Sequence, residues 1–348
     1  MNIRLFMFGK RLKYVIIALA VMFLILFIKA LDLRLLYTQL MSMGWRIWAV
    51  ICVSGMAYFF GTLGWYYSFA PQFRKINLGK LFMVRMVGES LAVSNPGGVV
   101  GGDALKIWLL NKSKINKSEV LRSVLISRVL TIISFLVMAF IMILMYNFFA
   151  AQKIASIVLL VLACFIGSLI VMMIYLLISR KMYIQKLFSW ISKLWRWNSL
   201  DKLSDEINTI NLAIASYYKM YKRALLIGLV LFIIHWIFGA LEFYVILYLL
   251  EVPIRLVDTL FLEFGTSFIR SLVAFVPGQV GIEEYSNKYF LGVVNVKDEG
   301  VWITVSIVRR IRQLFWIGLS VFYYLVFIKK PKSISNNLTK LEYENSLH

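Results

Sequence analysis

The chain has 348 residues, 61% of them hydrophobic and 16% charged, with 38 Lys and Arg against 17 Asp and Glu for a formal net charge of +21. Soluble domains carry roughly 45–50% apolar residues, so a soluble globular fold is excluded, and the positive charge, gathered in short runs between apolar stretches, reads as membrane topology rather than nucleic-acid binding. Cys52 and Cys164 lie in apolar stretches and the histidines are His235 and His348, which leaves no material for a disulfide framework, a metal site or a Ser-His-Asp triad.

In chain order, the first apolar window, 14–28, follows Arg4, Lys10, Arg11 and Lys13. Lys29, Asp32 and Arg34 come after it instead of a small-residue cleavage site, so it predicts an uncleaved first helix rather than a signal peptide. Continuous spans are predicted over 14–30, 46–70, 121–149, 154–178, 224–250 and 300–328. Regions 81–110 and 258–295 are apolar too, but Pro-Gly runs and charges interrupt them. Cys52 and Cys164 are expected as small core residues, and His235 as a packed, hydrogen-bonded core residue rather than a proton carrier.

Basic loops lie at 71–80, 111–118 and 179–223, and Lys329, Lys330 and Lys332 follow the last span. The loops 150–153, 251–257 and 292–299 are poorer in positive charge. With the basic loops placed in the cytoplasm, 81–110 must leave on the side it entered, and so must 258–295, from the opposite face. Each is therefore a re-entrant hairpin whose Pro-Gly run makes the turn. The expected fold is an all-α polytopic membrane protein with about six full transmembrane helices and two re-entrant helical hairpins, forming one domain over 1–330 with both termini cytoplasmic. Segment 179–223, with Trp190, Trp195 and Trp197 among lysines, is expected as an amphipathic pair on the cytoplasmic surface. The polar tail, 331–348, is expected to be disordered.

A shift of 181 positions lays "SLAVSNPGGV" on "SLVAFVPGQV", with Pro96 on Pro277 and Gly97 on Gly278. In the same register Asp103 falls on Glu284, Arg128 on Arg309 and Glu89 on Arg270. The repeat halves run over about 81–128 and 262–309. Their turns draw on Asn95, Pro96, Gly97, Gly98, Gly101 and Gly102 in one copy, and on Pro277, Gly278 and Gly281 in the other. Repeats of inverted topology with broken helices near the midplane are a mark of transporters. A break exposes backbone groups that hydrocarbon cannot satisfy, so it must be buried or line an aqueous cavity.

The apolar regions also hold Arg85, Lys106, Glu242, Glu263, Glu283, Arg310 and Arg312. A charge near the bilayer centre costs at least a few kcal/mol, so such residues pair or line a pathway. Arg85, Lys106 and Arg312 are expected to snorkel to an interface, while Glu242 and Glu263 are compatible with either a structural or a functional role. Asp103, Arg128, Glu283 or Glu284, and Arg309 are expected at a central cavity, where arginines clamp a phosphate and carboxylates meet an amine. Glu89 and Arg270 are expected to pair and lock the two hairpins together.

"NPGGVVGGDALK" followed by "SRVL", and "FVPGQVGIEE" followed by "VRRIRQ", resemble the transmembrane domain of the lysylphosphatidylglycerol synthase family, the flippase-like module of the multiple peptide resistance factor. The resemblance covers about residues 10–330. It implies two re-entrant hairpins and movement of lipids between leaflets of the bacterial inner membrane. The family's acid after the Gly-Gly maps onto Asp103 and its arginine onto Arg128; in the second motif the acid maps onto Glu283 or Glu284 and the arginine onto Arg309. Lys106 stands where an arginine is common, and Gln279 replaces the second glycine of the second motif. In the full-length synthase a soluble aminoacyl-transferase domain follows, whereas a short polar tail follows here, so synthase activity is not expected.

The leading expectation is a lipid translocase working by alternating access on a phospholipid or lipid-linked headgroup, with anionic membrane lipids around it and no cofactor, metal or nucleic acid. Two rivals stand beside it: a membrane-embedded glycosyltransferase using a polyprenyl-phosphate sugar, and a non-catalytic partner of a separate lipid-modifying synthase. A homo-oligomer is compatible with all three. No GxxxxGK[ST] motif is present, which argues against direct ATP use.

Overall fold

The computed structural model describes residues 43–94, 98–111, 115–149, 163–172, 216–273, 279 and 281–327, with isolated positions 37, 38, 41 and 175. The expected first span, most of 154–178 and 179–223, and the tail lie outside the described residues. The regular elements among those residues are helical: α1 Ile47–Tyr67, α2 Leu78–Ser94, α3 Gly98–Asn111, α4 Lys117–Phe149, the short apolar α5 Ala163–Met172, α6 Lys222–Leu249, α7 Leu256–Leu272, α8 Ile282–Val293 and α9 Glu299–Phe327. The chain is an all-helical membrane protein.

Among the described residues, three stretches are long and apolar enough to cross a bilayer, Gly44–Tyr67, Lys117–Met145 and Lys222–Leu249. They coincide with the expected spans 46–70, 121–149 and 224–250. The 29 residues of α9 match the expected 300–328 in length, but Arg309, Arg310 and Arg312 sit in the middle of the helix. The interrupted regions form helical hairpins, α2 with α3 and α7 with α8. Their arms have 17, 14, 17 and 12 residues, short of the roughly 20 needed to span hydrocarbon.

Small residues bring the helices together. In α1 a Cβ on Gly64 would lie 2.8 Å from the Phe232 ring of α6, and Phe60 stacks on Phe238 of α6 at 5.3 Å. This is the small-residue packing that membrane helices use where lipid supplies no hydrophobic drive. Ser54, Thr62 and Ser68 bond carbonyls three or four residues back, so their hydroxyls need no water. The opposite face of α1 exposes Cys52, Met56 and Phe59 at helical spacing. Cys52 and Cys164 are thus on the outer surface, not in the core as expected, because the apolar helices that carry them turn an apolar face outward as well as inward.

The hairpins dock at opposite ends of this frame. Arm residues Leu81, Val84, Leu105 and Leu109 of the first pack with Trp65 and Phe69 at the C-terminal end of α1, with Val120 and Val124 of α4, and with Tyr324 near the end of α9. Leu262 and Leu291 of the second pack with Val50 near the start of α1, with Phe243 and Leu247 of α6, and with Val305 and Val308 in the first half of α9. Met86 of the first hairpin reaches inward to Ile51 and Trp316.

Candidate functional site

Charged residues from both hairpins collect in two clusters within the bundle. On α2, Arg85 and Glu89 are one turn apart, and on α3, Asp103 and Lys106 share the face turned to α2. The two arms meet at Gly88 and Gly102: a Cβ on Gly102 would collide with the Gly88 carbonyl oxygen, and one on Gly88 would lie 2.6 Å from the Lys106 chain. Lys106 Nζ donates to Glu89 Oε1 at 2.6 Å and to Asp103 Oδ1 at 3.0 Å. From α4, Arg128 grips Asp103 with two bonds, Nε to Oδ2 at 2.7 Å and a terminal nitrogen to Oδ1 at 2.8 Å, and reaches Glu89 at 3.5 Å. Arg85 donates to the Tyr58 carbonyl of α1 at 2.9 Å, with its guanidinium lying where any side chain on Gly61 would stand.

The second cluster joins α6, α7, α8 and α9. On α7, Glu263, Ser267 and Arg270 share a face; Ser267 donates to Glu263 at 2.9 Å and Arg270 to Ser267 at 2.7 Å. Glu283 and Glu284 occupy the first turn of α8, where the helix dipole favours carboxylates. Arg309 bonds Glu283 at 3.1 Å and Glu263 at 3.2 Å, lies 3.8 Å from Glu242, and covers the Phe243 ring at 4.1 Å. Arg310 grips Glu284 with bonds of 2.8 and 3.1 Å and Glu283 at 3.3 Å. Arg312 holds Glu242 at 3.1 Å and donates to the Tyr58 hydroxyl at 3.1 Å.

The sequence-derived residues fall into both clusters. Glu89, Asp103 and Arg128 meet in the first; Arg270, Glu283, Glu284 and Arg309 meet in the second. Three expectations need correction. Glu89 and Arg270 do not pair across the hairpins: Glu89 bonds Lys106 and Arg128, and Arg270 bonds Glu263 and Ser267. Arg85, Lys106 and Arg312 do not snorkel; Arg85 and Lys106 are buried, Arg312 is nearly so, and each has a partner inside the bundle. The register also slips by one residue. The two-bonded pair Asp103–Arg128 has its counterpart in Glu284–Arg310, not Glu284–Arg309, while Arg309 turns to Glu283.

Besides Arg85, Lys106 and Arg312, expected at an interface, sequence reasoning did not assign Arg310 or Tyr58 to the site. The tandem Arg309-Arg310 beside the tandem Glu283-Glu284 was the available signal for Arg310; nothing in sequence flags Tyr58. Of the expected turn residues, Asn95, Pro96, Gly97, Pro277 and Gly278 lie outside the described residues. Gly98, Gly101 and Gly102 are helical, and Gly281 caps α8 at φ +82. Gln279 adopts φ +50, the left-handed region that favours glycine. Its side chain donates to the Arg270 carbonyl at 3.0 Å and its own carbonyl accepts from Arg310 at 2.9 Å, which holds a non-glycine residue there. His235 is hydrogen-bonded as expected, its Nδ1 lying 2.7 Å from the Ala57 carbonyl oxygen.

Chemically, the first cluster is an open mixed-charge site. Glu89 and Arg128 keep 29% and 28% of their side chains exposed; in the second cluster Glu284 and Arg270 at the rim keep 30% and 24%, while Arg309 and Arg310 at its centre keep 2% and 1%. A phosphate on Arg128 and an amine on Asp103 or Glu89 would replace like with like. No curated protein and no solved structure matches the chain. A family model described as the lysylphosphatidylglycerol synthase TM region matches residues 12–321, nearly the whole chain including both hairpins and both clusters, and the chain belongs to that family.

Proposed function

We propose that the protein is a lipid translocase, moving a phospholipid or lipid-linked headgroup across the bacterial inner membrane by alternating access. The family gives a lipid-related role in the membrane; the finer reading rests on one observation, the partly exposed quartet of Glu89, Asp103, Lys106 and Arg128 on the first hairpin. A headgroup phosphate displaces Asp103 from the two-pronged grip of Arg128, since arginine matches phosphate geometry as well as it matches carboxylate. Asp103 and Glu89, still neutralised by Lys106, then take an amine or remain as a counter-charge. The acyl chains stay in lipid throughout.

In this reading the two hairpins are re-entrant from opposite faces, and both termini lie in the cytoplasm. That agrees with docking at opposite ends of α1 and with the basic loops. The arginines at the centre of the second cluster, Arg309 and Arg310, are sealed, so in this reading it acts as the fixed wall against which the first hairpin opens and closes.

The test is leaflet transfer of a labelled zwitterionic and a labelled anionic phospholipid in proteoliposomes. Asp103→Asn and Arg128→Gln should each cut transfer at least tenfold while the protein keeps its unfolding temperature in detergent. Transfer at the wild-type rate in both variants would overturn the proposal.

A further inference from the structure

We propose that a cleft between the α1–α2 connection and the N-terminus of α6, away from both charged clusters, is a binding site for the phosphate headgroup of an anionic phospholipid. The cleft has a volume of about 430 Å³ and is lined by Pro71, Arg74, Lys219, Lys222, Arg223 and Ile227, among others. Four of its lining residues are cationic and none is acidic. Lys219, Lys222 and Arg223 are exposed, and they form no ion pair among the described residues. The nearby carboxylate of Glu119 is occupied by Arg122 and the Ala70 amide.

Two further observations point to an anion. No side chain caps α6, a helix of 28 residues, and its first intrahelical bond from this end is donated by Leu225 to the Tyr221 carbonyl. Lys222, Arg223 and Ala224, the first residues of this helix, line the cleft, and a helix N-terminus is where phosphate binds. Below the cleft, Ile227, Val230 and Ile237 continue from Arg223 along one face of α6, exposed by 42%, 47% and 38%. A cationic cup set directly above an exposed apolar stripe fits a molecule with an anionic head and alkyl tails.

Tyrosines frame the cup at headgroup level. Tyr217 donates to the Tyr67 and Phe69 carbonyls at 3.0 and 2.8 Å, and Arg74 donates to the same two carbonyls at 3.1 and 2.9 Å. Lys222 Nζ stands 5.6 Å from the Tyr218 ring centre. Arg74 thus builds the wall of the cleft, while Lys219, Lys222 and Arg223 are left for the ligand. Aromatic residues beside cations at the end of an apolar helix are the composition of a membrane interface, and a basic pocket between helices there binds anionic headgroups.

The experiment is native mass spectrometry of the delipidated full chain in neutral detergent, titrated with phosphatidylglycerol, phosphatidylcholine or inorganic phosphate. Lys222→Gln combined with Arg223→Gln should weaken the tightest phosphatidylglycerol adduct about 30-fold, each surface cation near anionic lipid being worth about 1 kcal/mol. Phosphatidylcholine adducts and the unfolding temperature without lipid should not change. Lys288→Gln, at an exposed lysine on α8 of the second hairpin, should leave phosphatidylglycerol binding as in the wild type. If the double variant does not fold, Lys219→Gln alone should weaken the adduct about fivefold. Unchanged phosphatidylglycerol binding in the folded variants, an equal loss in Lys288→Gln, or displacement of the lipid by equimolar inorganic phosphate would each overturn the proposal. None of these substitutions touches Asp103 or Arg128, so the outcome is independent of leaflet transfer.

Discussion

The first hairpin's cluster sets Arg85, Lys106 and Arg128 against Glu89 and Asp103, a surplus of one positive charge, and leaves more than a quarter of Glu89 and Arg128 open. The second sets Arg270, Arg309, Arg310 and Arg312 against Glu242, Glu263, Glu283 and Glu284, balanced, and its central arginines are sealed. One repeat thus yields two different devices. In the second cluster the charges balance and each central arginine contacts more than one partner, so a ligand would have to break several contacts to enter. An open cluster with a spare cation asks far less of an incoming anion. Under the proposed function, the same acid–arginine pairing would be a wall in one copy and an exchangeable site in the other.

The largest expected effect separates these two roles by stability. Arg309→Gln would remove the cation shared by Glu283, Glu263 and Glu242, leaving each with at least one other arginine and the cluster one negative charge in excess, and breaking a buried ion pair costs about 3–5 kcal/mol. Arg128→Gln leaves Asp103 bound to Lys106 and partly exposed, so its cost should be about 1 kcal/mol or less. Unfolding in detergent by heat or denaturant measures both. Equal losses would erase the distinction between wall and site.

A smaller contrast lies in how the arms of each hairpin approach. A Cβ on Gly102 would meet the backbone of Gly88, which cannot move without parting α2 from α3. In the second hairpin a Cβ on Gly265 would meet the Phe290 ring at 2.5 Å, and Phe290 is only partly buried and can turn. Gly102→Ala should therefore cost about 1–3 kcal/mol, the usual range for overpacking, and Gly265→Ala less, in the same unfolding measurement. The reverse order would mean that the first hairpin is the more pliant.

How far the sequence revealed this arrangement depends on the distance between partners. The spans of α1, α4 and α6 are continuous apolar runs and read directly; the hairpins read from Pro-Gly breaks and from the side on which the basic loops must lie. The alignment of Asp103 with Glu284 and of Arg128 with Arg309 followed from a repeat; the Asp103–Arg128 pair itself came from the structure. The slip to Glu284–Arg310 did not follow from the repeat, because an ungapped shift cannot register one extra residue, and one residue turns a helix by about 100°. The snorkelling expected of Lys106 and Arg312 failed for a different reason. Arg312 meets Tyr58 254 positions away and Lys106 meets Glu89 17 positions away; Asp103, three residues before Lys106, was the one local sign that it could be satisfied inside.

Tyr58 contacts both clusters, and it gives the most selective test. Its carbonyl accepts from Arg85 on the first hairpin, and its hydroxyl accepts from Arg312, which in turn holds Glu242. Tyr58→Phe removes the hydroxyl alone. The carbonyl stays, α1 keeps its Phe60–Phe238 stack, and the ring still packs edge-on against Trp316 at 5.3 Å. One hydrogen bond to a charged donor is lost, a stability cost of about 1.5–3 kcal/mol if Arg312 finds no substitute and less where Glu242 takes up its second nitrogen. If the second cluster is a fixed wall, loosening Arg312 should slow leaflet transfer by only a few-fold while leaving lipid binding at the first cluster as it was. If Tyr58→Phe abolishes transfer as completely as Asp103→Asn, the second cluster must move during the cycle. It would then be a gate built of the same pairs, and the contrast between the hairpins would describe one state of a pair that alternates.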